Sequence, residues 1–222
     1  MSNCVCWFTP QGGSSQLRII SNLTIDRFPA PLATFKADDP RSPLPVVYDL
    51  TNRLVLAPFM TPVTDDADGG VLTWLRAHMD RPDEPVFDFL ARLNSAIHRE
   101  FGYVTRQAEG VQTPAETLAF GSGACRDLAL LMVEAVRQLG FAALFVTSDL
   151  YSAANAHIRG GGATHAWRQV CLPGLGWLEF DPTNGLIVSP DPGGRHPLAS
   201  RGRARRRKFD RRPGEQHAER AG

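Results

Sequence analysis

Residues 121–140 constrain the fold of this chain most strongly, because a glycine-rich turn, a cysteine and an amphipathic helix follow one another without a break. The turn reads Gly-Ser-Gly-Ala and ends directly before Cys125. Gly140 is a typical residue for the end of the helix. One apolar stripe at helical spacing runs between them: Leu128, Leu131, Met132, Ala135, Val136 and Leu139. The sequence therefore predicts a helix with Cys125 in its first turn and one buried face.

The position of Cys125 suits a nucleophile. A thiol becomes an effective nucleophile when its pKa is lowered and a base lies beside it. Catalysis also needs hydrogen-bond donors positioned to stabilise the oxyanion of the intermediate. The N-terminal end of a helix supplies partial positive charge and free N–H groups. The preceding glycines allow close approach of the backbone and of a substrate. Taken alone, Cys125 could equally be a small buried residue, and Cys4, Cys6 and Cys171 are interpreted as ordinary thiols.

A strand and a hairpin follow the helix. Residues 141–147 are apolar and predict a strand, residues 164–172 and 177–181 predict the two arms of a hairpin, and a Pro-Gly-Leu-Gly turn joins the arms. His165 begins the first arm and Asp181 ends the second. Regular pairing would place Asp181 opposite about Arg168, so a bulge or a diagonal reach is needed to bring the two together. A carboxylate on one ring nitrogen would orient the imidazole as in a catalytic triad.

His165 is the candidate base among six histidines. Its place after a flexible glycine loop lets the ring reach the edge of a cleft, although a lone histidine at a strand start is often structural. Asp181 alone could likewise be a turn residue before a proline. The other histidines lie on predicted helices, in a loop or in the tail: His78, His98, His157, His196 and His217.

The first half of the chain changes character near Gly70. Residues 16–28, 44–48 and 54–56 are interpreted as strands of a short β-rich region over 1–69. Helical patterns then begin with 71–75 and continue over 85–101, whose apolar face contains Val86, Phe89, Leu90, Leu93, Ile97 and Phe101. A short strand is expected at Tyr103 and Val104. The aspartates of 65–70 lack the final glutamate of a calcium-binding EF-hand loop and are interpreted as a plain loop.

Charge divides the chain in two. The whole sequence carries 24 Lys and Arg against 23 Asp and Glu. From Arg195 onward there are ten basic and three acidic residues, which leaves 14 basic and 20 acidic residues in 1–194. The body is therefore acidic and gives no reason to expect nucleic-acid binding. It also contains no apolar run of membrane-spanning length.

The N-terminus has no basic segment followed by an apolar run, which predicts the absence of a signal peptide and a cytoplasmic location. A chain already trimmed of its leader would give the same pattern.

Three blocks of sequence resemble the transglutaminase-like proteins of bacteria. They are Gly-Ala-Cys-Arg-Asp-Leu-Ala from Gly123, Thr-His-Ala-Trp from Thr164, and Trp-Leu-Glu-Phe-Asp-Pro-Thr-Asn from Trp177, and the resemblance covers about 70–188. It implies an α+β, papain-like fold, in which a cysteine-bearing helix packs on an antiparallel sheet. It also implies Cys125 as nucleophile, His165 as base and Asp181 as its orienting partner. Trp167 and Tyr103 are expected to line the cleft, and Tyr103 is in addition a candidate for the oxyanion site.

The resemblance implies acyl transfer through a thioester, without a metal or cofactor. A peptide or protein is the expected substrate, and hydrolysis of a peptide or isopeptide bond is the favoured reaction. Two alternatives are transfer of a glutamine acyl group to an amine, which cross-links proteins, and a binding module that has kept the fold without the activity. The oligomeric state is left open, because no sequence feature specifies it.

Residues 189–222 are predicted to be a disordered basic tail. Family members continue with an ordered segment where this chain becomes rich in arginine. The chain has 22 arginines and two lysines, a bias typical of GC-rich coding DNA. Three interpretations therefore remain open for the tail: a frameshifted C-terminus, a solvated native tail, and a basic arm that binds an acidic partner.

Overall fold

The computed structural model describes residues 46–79, 84–149 and 164–188, together with Gly12, Leu44 and Arg159. Helices dominate the first half of this part of the chain and strands the second half. The helices are α1 (Leu50–Met60), α2 (Gly70–Ala77), α3 (Val86–Glu100), α4 (Pro114–Phe120) and α5 (Cys125–Gln138). The strands are β1 (Gly102–Tyr103), β2 (Ser122–Gly123), β3 (Ala143–Asp149), β4 (Thr164–Leu172), β5 (Gly176–Asp181) and β6 (Leu186–Val188).

The sheet is four-stranded, antiparallel and in chain order, β3-β4-β5-β6. The predicted hairpin is confirmed as β4 and β5, whose pairing runs regularly from Leu172 opposite Gly176 to Arg168 opposite Phe180. Positive φ angles of 74° at Gly174 and 76° at Gly176 close the turn between them, which glycine adopts without strain. The pairing has no bulge, so Asp181 reaches His165 diagonally across the hairpin.

Helix α5 packs on β3 and β4 and forms the centre of the core. Its predicted stripe is buried from Leu128 to Val136. Gly140, with φ 82°, ends the helix, and the N–H of Phe141 returns to the carbonyl of Val136. The chain then enters β3 at Ala143, two residues after the predicted start of that strand. The cysteine-bearing helix is thus packed on β4, the strand that carries the candidate base, and on the neighbouring β3.

Helix α3 contributes the second apolar layer, as its sequence pattern predicts. Leu90, Leu93 and Ile97 are each 0% exposed, and burying side chains of this size stabilises a fold by about 1.5–3 kcal/mol each. Asn94 is a polar residue on the same helix and is also fully buried. It donates to the carbonyl of Leu186 at 3.3 Å and accepts from Arg168 at 2.6 Å, so α3 is hydrogen-bonded to both β6 and β4.

The region before α2 is helical where a strand was expected. Residues 54–56 lie inside α1, so the strand interpretation of this segment is wrong. Asp49 explains the difference, because its carboxylate accepts the N–H of Asn52 at 2.8 Å and begins a helix. Residues 46–48 have no regular secondary structure, and the predicted strand there is also wrong. The expected strand over 16–28 and the tail lie outside the described residues.

Short helices and strands precede Cys125 in the chain. The helix predicted over 71–75 is confirmed as α2, and β1 pairs in parallel with β2, with Tyr103 opposite Gly123. Helix α4 begins with a capping box, in which Thr113 and Glu116 exchange side-chain and backbone hydrogen bonds. Gly121, with φ 60°, then turns the chain out of α4 into β2. Helix α5 begins four residues after Gly121, at Cys125.

Candidate active site

Cys125 is the first residue of α5, and its thiol is half-buried. The preceding residue Ala124 has extended backbone and donates its N–H to the carboxylate of Asp127 at 2.8 Å. Gly123 comes so close to Asp127 that a Cβ atom there would lie 2.8 Å from the Cβ of Asp127. The glycine is therefore needed for close packing at the head of the helix. This geometry leaves the thiol at the positive end of the helix.

His165 and Asp181 lie on the same face of the hairpin. The Nε2 of His165 is 2.8 Å from Oδ2 of Asp181, and both side chains are buried. In the register of β4 and β5, the position opposite Asp181 is Trp167, so His165 is its diagonal neighbour. This is the diagonal reach that the sequence required.

The turn after β5 orients Asp181. Its Oδ1 accepts the N–H groups of Thr183 at 3.0 Å and Asn184 at 3.2 Å, and its Oδ2 accepts the side-chain amide of Asn184 at 2.8 Å. Asn184 in turn accepts the N–H of Arg159 at 2.9 Å. These bonds satisfy the carboxylate in its ionised form, as buried charges require. Asn184 is a residue of the site that the sequence had placed in a motif but had given no role.

The thiol of Cys125 interacts with three donors. Burial alone would raise the pKa of Cys125, but the His165 ring, the N–H of Ala166, the charge of His165 and the N–H of Arg126 outweigh it and lower that pKa. The Nδ1 of His165 is buried and has no hydrogen bond of ordinary geometry to any described residue. Such contacts are often long before substrate binds. The thiol of Cys125, whose pKa the His165 ring lowers, is the candidate partner of this nitrogen.

The ring of His165 carries the complementary shift. Burial lowers its pKa, yet the hydrogen bonds and charges of Asp181 and Cys125 prevail and raise the pKa of His165 to about 9. Burial would raise the pKa of Asp181, whereas its bonds from His165 and Asn184 lower it. All three directions favour the charged forms. The site therefore stabilises a thiolate, an imidazolium and a carboxylate relative to what burial alone would allow.

The match to known protein families agrees with this arrangement. Residues 74–182 match the model described as the transglutaminase-like superfamily. Residues 74–182 are a transglutaminase-like domain. The segment matched includes all three of Cys125, His165 and Asp181, and the α+β architecture expected from the sequence is that of the structure. A transglutaminase-like fold with this geometry supports cysteine-based catalysis in general.

Relatives of this transglutaminase-like chain occur among mycobacteria. It is 33% identical over 132 residues to "Uncharacterized protein Rv2569c" of Mycobacterium tuberculosis and to "Uncharacterized protein Mb2599c" of Mycobacterium bovis. The aligned region is 55% of this chain and 40% of each relative. The chain thus spans well under half the length of these relatives.

Two solved structures of other proteins are similar at lower identity. A candidate cysteine protease from Cytophaga hutchinsonii has 21% identity and a TM-score of 0.49, covering 67% of this chain and 50% of its own. The periplasmic domain of TgpA from Pseudomonas aeruginosa has 23% identity and a TM-score of 0.45, covering 60% of this chain and 48% of its own.

The remaining candidate residues are positioned as follows. Trp167 is half-buried and stacks on His165, with 6.1 Å between ring centroids and 22° between planes. Tyr103 is half-buried on β1 and pairs with Gly123 of β2. Gly123 precedes Cys125 by two residues. Trp167 therefore lies beside His165, and Tyr103 lies beside the strand that leads to Cys125.

The other thiols and histidines have structural surroundings where they are described. Cys171 is half-buried, and burial raises its pKa, opposite to the shift at Cys125. His78 lies between the carbonyl of Trp74 and the carboxylate of Glu100. His98 contacts the carbonyl of Thr183 through Nδ1 at 3.0 Å and so supports the turn that holds Asp181. Cys4, Cys6, His157, His196 and His217 lie outside the described residues.

Arg168 is a further charged residue near the site that the sequence analysis had missed. It is fully buried, donates to Asn94 at 2.6 Å and lies 5.7 Å from the ring centroid of Phe180. Burial pushes its pKa well below the ordinary value, and the charge of Asp181 acts in the opposite direction. The sequence did contain a signal that Arg168 is buried. Side chains alternate along β4, so position 168 lies on the same face as Val170, which faces the core.

The described residues contain no group of three or more His, Cys, Asp and Glu side chains able to hold a metal ion. Among the helices of the same part of the chain, none has the length and apolar character of a membrane span.

Proposed function

We propose that this protein is a cysteine acyl-transfer enzyme that cleaves a peptide or isopeptide bond through a thioester on Cys125. The observation that carries the proposal is the surroundings of the thiol. It lies at a helix N-terminus, its pKa is lowered by the His165 ring and by the N–H groups of Ala166 and Arg126, and Asp181 holds that imidazole at 2.8 Å. An ordinary buried cysteine has none of these features.

Acylation follows from this geometry. The thiolate of Cys125 attacks the carbonyl carbon of the amide, a C–S bond forms, and the carbonyl oxygen becomes an oxyanion. The amide of Cys125, the first residue of α5, has no acceptor within its own helix and is a candidate donor to that oxyanion. His165 then gives its proton to the leaving nitrogen, the C–N bond breaks, and the amine departs.

Deacylation uses the same residues in reverse. His165, now neutral, takes a proton from water, and the oxygen of that water attacks the thioester carbonyl. The C–S bond breaks, the acid product leaves, and the thiolate and imidazolium are restored. Asp181 fixes the tautomer and orientation of the ring throughout. An amine in place of water would give the cross-linking reaction instead.

The test compares the wild type with Cys125→Ala on fluorogenic peptide amides and on isopeptide-linked substrates. We expect wild-type hydrolysis, a mass increase that corresponds to an acyl group on Cys125, and complete loss of both in Cys125→Ala. Cys171→Ala is the matched control, because that half-buried thiol has a raised pKa. It is expected to retain activity.

Addition of a primary amine to the same assay distinguishes the acceptors. Incorporation of the amine at the expense of hydrolysis would assign the protein as an amine transferase. A wild-type thiol that alkylates no faster than Cys171, with no acyl adduct, would show a binding module and refute the enzyme.

A further inference from the structure

The loop formed by residues 104–112 stands beside Cys125 and joins β1 to α4. It begins where the N–H of Val104 binds the carbonyl of Gly123 at 3.0 Å, and it ends at the cap of α4. It has no regular secondary structure, and most of its side chains are exposed. An exposed loop of this kind is held only by the bonds it makes to the rest of the protein.

Arg126, the residue after the nucleophile, supplies three of those bonds. Its Nε donates to the carbonyl of Gly110 at 2.7 Å, and its Nη2 donates to Ala108 at 2.6 Å and Arg106 at 3.3 Å. These carbonyls belong to alternate residues of the loop. A guanidinium is a rigid planar fork with five donors, so one side chain can fix three carbonyls where a lysine cannot.

Asp127, the next residue, binds the two ends of the loop. Its carboxylate is fully buried and accepts from Arg106 Nη1 at 2.8 Å and from the N–H of Gln112 at 2.8 Å. The same carboxylate accepts the N–H of Ala124 at 2.8 Å, which lies at the head of α5. The loop and the N-terminal end of α5 are therefore both hydrogen-bonded to the buried carboxylate of Asp127.

We propose that Arg126 is a positioning residue that holds the 104–112 loop as one wall of the substrate cleft. The inference deepens the proposed function, on which it rests, by assigning to Arg126 the binding of an extended peptide. The backbone N–H of Arg126 helps to lower the pKa of the Cys125 thiol, whereas its side chain binds the loop. A change confined to the side chain therefore loosens the wall without removing any group from Cys125, His165 or Asp181.

Two electrophiles with the same reactive group separate these effects. Chloroacetone and a set of tripeptidyl chloromethyl ketones both alkylate Cys125, with a new C–S bond and release of chloride. Only the peptides extend along the wall. Their second-order rate constants are to be measured on the wild type, Arg126→Gln, Arg126→Lys and the control Arg76→Gln, an exposed arginine of α2.

We expect Arg126→Gln to slow the peptidyl reagents by roughly tenfold or more, the loss typical of a charge-assisted hydrogen bond. Chloroacetone is expected to react at an unchanged rate, which also shows that the site of the variant is folded. Arg126→Lys should show most of the loss, because one ammonium cannot span the three carbonyls. Arg76→Gln should behave as the wild type does.

Two results would overturn the inference: unchanged rate constants for both kinds of reagent in both Arg126 variants, or an equal fold loss of the two rates. The second would show that Arg126 maintains the nucleophile instead of the wall. Failure of the proposed function looks different, because the wild-type thiol would then react with neither reagent faster than Cys171 does.

Discussion

Each charge of the candidate site depends on a neighbouring residue. Desolvation opposes the charged form at Cys125, His165 and Asp181 alike, and it is the largest single influence on each of their pKa values. The charged forms prevail because each group bonds the next and Asn184 completes the shell of Asp181. Removal of one member would leave the others buried without compensation. The residues therefore ionise as a unit.

This coupling predicts a defined pH dependence. The pKa of Cys125 is lowered from 9.0, so its alkylation rate should rise with pH through a midpoint below that value. Turnover also needs the proton of His165, whose pKa is about 9, and it should fall as the pH passes that value. A bell-shaped profile of kcat/KM is expected, with iodoacetamide alkylation reporting the acid limb alone.

Asp181→Asn is the matched variant for this profile. The carboxylate raises the pKa of His165, so its loss lowers that pKa from about 9 toward 6.5 and moves the alkaline limb to lower pH. Turnover should fall by roughly 100-fold, because the ring loses its orientation while the nucleophile remains. An alkaline limb that stays in place would contradict the coupling of Asp181 to His165.

At the scale of elements, the local signals in the sequence were sufficient for the hairpin and for α3 and α5. Glycines with positive φ at Gly140 and Gly174 mark the ends of elements, and apolar spacing identifies the buried faces. The helix at 50–60 was not predicted because Val55 and the neighbouring leucines resemble a strand. The side chains of Leu54 and Val55 are 71% and 67% exposed, so burial gave no periodic signal to follow.

Glu134 joins α5 to the segment between α1 and α2, and this link can be tested. This residue of α5 is 1% exposed and accepts the N–H groups of Val63 at 2.8 Å and Thr64 at 2.9 Å, while Arg137 donates to it at 2.9 Å. Glu134→Ala removes the acceptor of the Val63 and Thr64 N–H groups and leaves the nearly buried Arg137 without its carboxylate partner. It should lower the free energy of unfolding by about 3–5 kcal/mol, as measured by urea denaturation.

Asp68→Ala removes an exposed carboxylate near the same segment and serves as the control. It should change the free energy of unfolding by less than about 0.5 kcal/mol. Equal stability of the two variants would show that the link between α5 and residues 63–64 contributes little.

At the scale of the whole molecule, the three blocks that contain Cys125, His165 and Asp181 could be found from the sequence. The contacts that support these residues from distant parts of the chain could not. Asp181 and His165 are joined by one turn, so their proximity follows from the hairpin. The pairing of Arg168 with Asn94, 74 residues apart, and of Arg126 with the 104–112 loop depends on how helices and sheet pack. No local pattern encodes such a pairing, because many charged side chains would fit the same local sequence.

The basic tail yields a prediction at this scale. The last described strand, β6, ends at Val188. Because residues 195–222 are rich in arginine and poor in apolar side chains, their deletion should leave the melting temperature and the alkylation rate of Cys125 unchanged. The coding DNA read in another frame after about codon 190 should also give family-like sequence if the tail is a frameshift product. A large fall in melting temperature upon deletion would show that the tail packs on the core.

The diagonal contact between His165 and Asp181 has a consequence for the order in which the site is assembled. The two residues are 16 positions apart, and β-hairpins form within about 1–10 µs. Cys125 joins them only when α5 docks on β4, a contact that closes a much longer stretch of chain and so forms later. A half-folded chain therefore has its acid–base pair before it has a reactive thiol. Activation of the Cys125 thiol by His165 is therefore expected to report that α5 has docked on the sheet.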